Sequence, residues 1–155
     1  MSAVTDPSTG GIVAWKDRIP LAYEYTAGVA GEAFLRGLRE GRILASKCGR
    51  CGDLRLPPRS YCVVCGGRTR VDVEVVHCGR LSAVSKGGGP SGEAFVFVVF
   101  AGVSGGLLHR AAKGRRAPRE GEPVRPRFEP QEARRGSILD VAGFEVASSR
   151  KRGND

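Results

Sequence analysis

The chain has 155 residues, 41% of them apolar, with 25 Lys plus Arg against 16 Asp plus Glu and five cysteines. That length holds one ordinary domain, or two very small ones of which at least one needs a covalent or metal staple, and it excludes a large multidomain enzyme. Charged residues at 26% beside abundant Val, Leu and Phe place the chain among globular rather than disordered proteins. No apolar run reaches the roughly 18 residues of a membrane span, and the opening residues lack the order of a signal peptide. The expected compartment is the cytoplasm, with no membrane partner.

The net charge of +9 invites nucleic acid, because basic surfaces gain affinity for phosphate backbones by releasing counterions. Four thiolates around one dication would lower that sum to +7. Of the 25 basic residues 20 are Arg, which suits bidentate phosphate or carboxylate contacts, although a solvated surface accounts for them equally well.

In chain order, residues 1–22 read as a flexible arm with Pro7, Gly10, Gly11 and Pro20, in which Trp15 caps the core or docks on another chain. Residues 23–44 turn helical. Phe34, Leu35 and Leu38 share one face, and Gly41 stands where a left-handed C-terminal cap belongs, which predicts a short helix over 31–40. Gly31 and Gly37 weaken it by roughly 0.8 to 1 kcal/mol each, so it must dock on something.

Residues 45–70 are rich in Cys, Gly and Pro and leave no room for a core made of side chains alone. From residue 71 to 147 β-type runs follow at 71–75, 81–84, 95–100, 107–108, 124–128 and 138–146, parted by Gly-rich or Pro-rich turns. Five or six strands in so short a stretch predict an OB-type barrel. The fold class is therefore mainly β, with a short N-terminal helix, a cysteine-rich ribbon and a C-terminal OB-fold barrel. Residues 148–155 read as a disordered tail.

The strongest motif is Cys48-Gly49-Arg50-Cys51 followed by Cys62-Val63-Val64-Cys65, a C-x2-C-x10-C-x2-C pattern. Tetrahedral zinc needs four soft ligands at about 2.3 Å, and a two-residue spacer lets one turn present two sulfurs to the same ion. Two disulfides, which a reducing compartment disfavours, and a rubredoxin-type iron site are the alternatives. With every position filled by protein the Zn2+ is structural, and a zinc hydrolase is disfavoured. Cys78, preceded by His77, reads as a buried free thiol at the start of a strand. His77 and His109 show no triad pattern. Gly87-Gly88-Gly89-Pro90 reads as a hairpin turn, since a phosphate cradle would run into a helix. Glu93, Glu120, Glu122, Glu129 and Asp140 read as solvated charges rather than a catalytic pair.

The order of these parts resembles a known family. The run Phe34-Leu35-Arg36-Gly37-Leu38-Arg39-Glu40-Gly41-Arg42-Ile43-Leu44, the first cysteine pair, Leu56-Pro57-Pro58-Arg59, the second pair and then β-strands is similar to the acyl-CoA-associated OB-fold family with a rubredoxin-like zinc ribbon, often labelled a domain of unknown function. Weaker matches lie at 79–85, 94–102 and 120–124. The resemblance implies a non-catalytic accessory subunit of a thiolase-like enzyme, of thiolase or hydroxymethylglutaryl-CoA synthase type, and in other relatives of aldolases or hydratases. It also implies acyl-CoA binding, for which Lys113, Arg115, Arg116 and Arg119 form the densest basic cluster, and partner docking through Phe34, Leu35 and Leu38. A single-stranded nucleic-acid-binding zinc ribbon with an OB barrel is the second reading. Aromatic residues at 6% give it few stacking platforms.

Overall fold

The computed structural model describes residues 3–5 and 13–15 as backbone, and residues 22, 24–75, 78–85, 94–112 and 118–147 in full. In the expected arm, β1 (Ala3–Thr5) and β2 (Val13–Trp15) pair as an antiparallel hairpin. The side chain of Trp15, the 87–89 turn and the tail at 148–155 lie outside the described residues.

The helix α1 (Gly28–Arg39) starts three residues earlier than its sequence predicts and ends as expected, with Gly41 at φ 78°. Its buried positions are Ala30, Ala33, Phe34, Gly37 and Leu38, the i, i+3, i+4, i+7, i+8 stripe of an amphipathic helix. Arg36 and Arg39 in the last turn complement the negative end of its dipole. Gly37 has a use that propensity hides. A Cβ there would stand 2.7 Å from Leu44 Cγ, so only glycine lets the helix lie this close to the strand that follows.

That strand, β3 (Leu44–Cys48), pairs antiparallel with both β4 (Leu54–Leu56) and β5 (Thr69–Glu74). Together they form the ribbon. Val71 and Val73 thus belong to the ribbon sheet and not to the barrel, and the expected division between residues 70 and 71 falls inside one strand.

The barrel consists of β6 (Gly79–Val84), β7 (Phe95–Val99), β9 (Leu107–Arg110), β10 (Pro123–Phe128) and β11 (Val141–Val146), and the short β8 (Ser104–Gly105) lies between β7 and β9. The sheet order is β11-β10-β6-β7-β9, antiparallel throughout. A parallel bridge between Ala111 and Phe144, with the Ala112 N–H donating to the Phe144 carbonyl at 2.8 Å, brings the two outer strands together. The result is a five-stranded, partly open barrel with OB-type connectivity. β8 leaves it to pair in parallel with β4, which makes it the fourth strand of the ribbon sheet.

One continuous core joins these parts. Leu81, Val96, Val98, Val124, Val141 and Phe144 fill the barrel, and Leu38, Ile43, Ala45, Leu56 and Val75 extend the same cluster under the helix and ribbon. Two expectations are corrected here. Residues 45–70 do contribute packed side chains, Ala45 and Leu56, because the base of the ribbon sits on the barrel. Phe34 and Leu38 do not face a partner: at 8% and 0% exposure they are spent on the chain's own core, and Leu35 packs against it half-buried.

The predicted strand at 138–146 is also two things. Ile138–Asp140 is a 3-10 turn capped by Ser137, and β11 begins only at Val141. Asp140, read as a solvated charge, is 3% exposed. It accepts the N–H groups of Arg135, Gly136 and Ser137 at 3.0, 2.8 and 3.1 Å. Burial alone would raise its pKa, but these three donors win and hold the carboxyl below its usual range.

Candidate metal centre

Cys48 is the last residue of β3, so the sheet itself delivers the first ligand. A tight turn follows, with the Gly52 N–H donating to the Cys48 carbonyl at 3.1 Å and the Cys48 N–H to the Asp53 carbonyl at 2.8 Å. The second turn repeats the design: the Gly66 N–H donates to the Cys62 carbonyl at 2.9 Å and the Cys62 N–H to the Gly67 carbonyl at 2.8 Å. Gly52 and Gly66, at φ 77° and 69°, occupy the left-handed conformation that closes each turn and that side chains resist. The two knuckles face each other across the sheet end.

Their sulfurs converge. The Sγ atoms of Cys48 and Cys65 are 3.6 Å apart, as are those of Cys51 and Cys62, and all four lie within 4.8 Å of one another. A disulfide would need about 2.05 Å, and all four thiols are free. Four thiolates at about 2.3 Å from one ion stand about 3.8 Å apart, which the observed spacing matches.

The electrostatics agree. The N–H groups of Cys51 and Arg50 point at the Cys48 sulfur at 3.5 and 3.4 Å and lower its pKa to about 6 against the opposing effect of burial. Cys51 accepts the Asp53 N–H, which lowers its pKa, but the sulfurs of Cys65 and Cys48 push it up to about 12. Four such sulfurs cannot all ionise without a cation among them. Zn2+ supplies that charge, held by Cys48, Cys51, Cys62 and Cys65. Protein occupies the whole tetrahedron, so the ion has no position for a reacting water and its role is structural.

Other candidates do not join this site. Among the described residues the four cysteines are the only group of three or more His, Cys, Asp or Glu able to hold a metal. Cys78 is exposed rather than buried, because it precedes β6 at the surface, and His77 lies outside the described residues. His109 is buried with its Nε2–H donating to the Ile138 carbonyl at 3.1 Å, and no carboxylate approaches its Nδ1 among the described residues. Of the basic cluster, Arg119 is exposed, while Lys113, Arg115 and Arg116 lie outside the described residues. No described helix is long and apolar enough to cross a membrane.

Sequence reasoning misses one junction. Asp53, just past the first knuckle, accepts the Ser104 hydroxyl at 2.7 Å and the Arg55 Nε–H at 3.0 Å. The Ser104 hydrogen bond chiefly, with Arg55 behind it and burial opposing, holds its carboxyl below the ordinary range. It ties the ribbon to the barrel across 51 residues of sequence, a distance at which no local signal exists.

Fold and site together define a four-cysteine zinc ribbon joined to an OB-type barrel. A family model described as "ChsH2, rubredoxin-like zinc ribbon domain" matches residues 36–72. A protein of unknown function of the DUF35 family from Sulfolobus solfataricus is 30% identical over 67% of this chain and 81% of its own, with a TM-score of 0.56. The chain belongs to the DUF35 family. The Ltp2-ChsH2(DUF35) aldolase shares the fold at 17% identity, over 65% of this chain and 84% of its own, with a TM-score of 0.55. No curated protein sequence matches significantly.

Proposed function

We propose that the chain is a non-catalytic accessory subunit that associates with an acyl-CoA-processing enzyme and helps bind or channel the thioester. The observation that carries this reading is the closed four-sulfur site: a metal with no open position organises a surface and does not activate a substrate. Family membership supports it, as does the fold shared with a DUF35 chain that is named as part of an aldolase together with Ltp2. The partner is a thiolase-like enzyme or another acyl-CoA enzyme, an aldolase among them, acting in the cytoplasm. In this reading residues 1–22 are an arm, 23–44 and 45–75 the helix and ribbon that meet the partner, and the strands from Gly79 to Val146 the barrel. The basic stretch with Lys113, Arg115, Arg116 and Arg119 meets the CoA phosphates.

The nucleic-acid reading loses ground on the barrel's aromatic strand. Phe100 is buried in the core and Phe97 half-buried, which leaves Phe95 without a neighbouring aromatic platform on its strand for stacked bases. Co-expression of the tagged chain with the products of neighbouring genes tests the proposal. An acyl-CoA enzyme co-purifies in fixed ratio and the assembly binds a CoA ester; a chain that emerges alone and binds no CoA ester overturns it.

A further inference from the structure

Between α1 and β5 runs a groove of about 500 Å³, within the range of specific binding sites. Its lining divides by chemistry. Val29, Ala33 and Val71 give it apolar surface, Arg36, Arg68 and Arg70 rim it, and no carboxylate among the described residues lines it. Neither near acidic neighbour cancels that charge. Glu32 stands 3.8 Å from Arg36 and Asp72 stands 3.6 Å from Arg70, both in exposed pairs of little strength, and Arg68 forms no ion pair with any described residue.

The groove also touches residues 68–71 in succession. Successive side chains of a strand point to opposite faces, so a groove that meets three strand residues in a row, Thr69, Arg70 and Val71, runs along the strand's edge. β5 is the outer strand of its sheet, and beyond the bridge of Tyr61 to Arg68 its outer edge pairs with no strand among the described residues.

We propose that this groove receives an extended acidic segment of the enzyme that the chain accompanies, a proposal that rests on the accessory-subunit reading above. The segment's carboxylates meet the guanidinium groups of Arg36, Arg68 and Arg70. Its alternate apolar side chains lie between Val29 and Val71, and its backbone follows the β5 edge, the strand-addition mode of peptide recognition. A nucleic acid fits less well, because among the described residues no aromatic side chain lines the groove to stack a base. The charge complementarity also sets the order of events: the arginines steer the encounter and the apolar surface holds it.

The zinc-loaded, isotopically labelled full chain tests this by titration at physiological salt with a decapeptide of alternating Glu and Val, its Lys-for-Glu counterpart and a thymidine decanucleotide. The Glu peptide shifts the amide signals of Val29, Ala33 and residues 68–71. The double variant Arg68→Glu, Arg70→Glu weakens it about tenfold or more, and Arg68→Gln, Arg70→Gln weakens it less. Arg127→Glu, on the barrel, leaves it within about twofold. Both groove arginines are exposed, and zinc content confirms that each variant is folded.

Absence of shifts at the groove, an equal response to the Lys peptide, or tighter binding of the oligonucleotide there overturns the proposal. The two readings fail separately. An enzyme that co-purifies equally with the Arg68→Glu, Arg70→Glu variant removes the groove's role and leaves the accessory subunit standing. A chain with no enzyme partner removes the accessory role, and the peptide titration still decides the groove's chemistry.

Discussion

Along β7 the buried Val96 and Val98 alternate with side chains turned outward, and the barrel closes round Leu81, Val124, Val141 and Phe144. At the tip of the ribbon the second knuckle turns Tyr61, Val63 and Val64 outward, and its interior is four sulfur atoms. Stability in the barrel is spread over many apolar contacts, none of them decisive, whereas the tip concentrates it in one ion. The base of the ribbon, with Ala45 and Leu56 in the shared core, belongs energetically to the barrel.

The largest effect separates the two regions. Structural zinc supplies of the order of 10 kcal/mol of folding free energy in small ribbons. Chelation, or Cys62→Ser, removes the metal and collapses hydrogen-exchange protection in the knuckles, over residues 48–53 and 61–68, while β7 and β9 stay protected. Equal loss in both regions would show that the barrel also needs the ion. Leu38→Ala acts the other way. This side chain is fully buried where helix, ribbon base and barrel meet, so its loss costs about 2–5 kcal/mol and lowers a single thermal transition of the whole chain. Two resolved transitions would contradict one core.

Asp140→Asn is smaller, about 1.5–3 kcal/mol, and confined to the barrel's last turn. Because the folded pKa of Asp140 lies below its unfolded value near 4, its contribution is present above that value and fades as pH falls through the folded one. Urea midpoints at pH 7 and pH 3 differ less in the variant than in the parent chain. Gly37→Ala is the smallest. Overpacking against Leu44 costs about 1–3 kcal/mol, the gain in helix propensity returns nearly 1, and a slightly lower urea midpoint records the difference.

The metal centre was legible because its chemistry is local: a two-residue spacer and a glycine after each pair state the turn without help from the rest of the chain. The strand runs were legible for the same reason. What escaped depends on partners distant in sequence. Val71 and Val73 alternate as barrel strands do, and only the pairing with β3 assigns them to the ribbon. Phe34 and Leu38 read as a docking face because the surface they dock on is this chain's own. Asp140 was the avoidable miss, since Ser137 three residues before it is a capping-box signal. Asp53 and Ser104 carry no such signal.

The pairing of β4 with β8 couples the two regions mechanically. Arg55 and Leu56 lie beside Ser104 and Gly105, and the Gly106 N–H donates to the Leu56 carbonyl at 3.0 Å. A loop of one lobe is thereby stitched into the sheet of the other, and backbone hydrogen bonds join the two as well as the shared core. A load on the first knuckle therefore has a hydrogen-bonded path through β4 and β8 to the loop between β7 and β9.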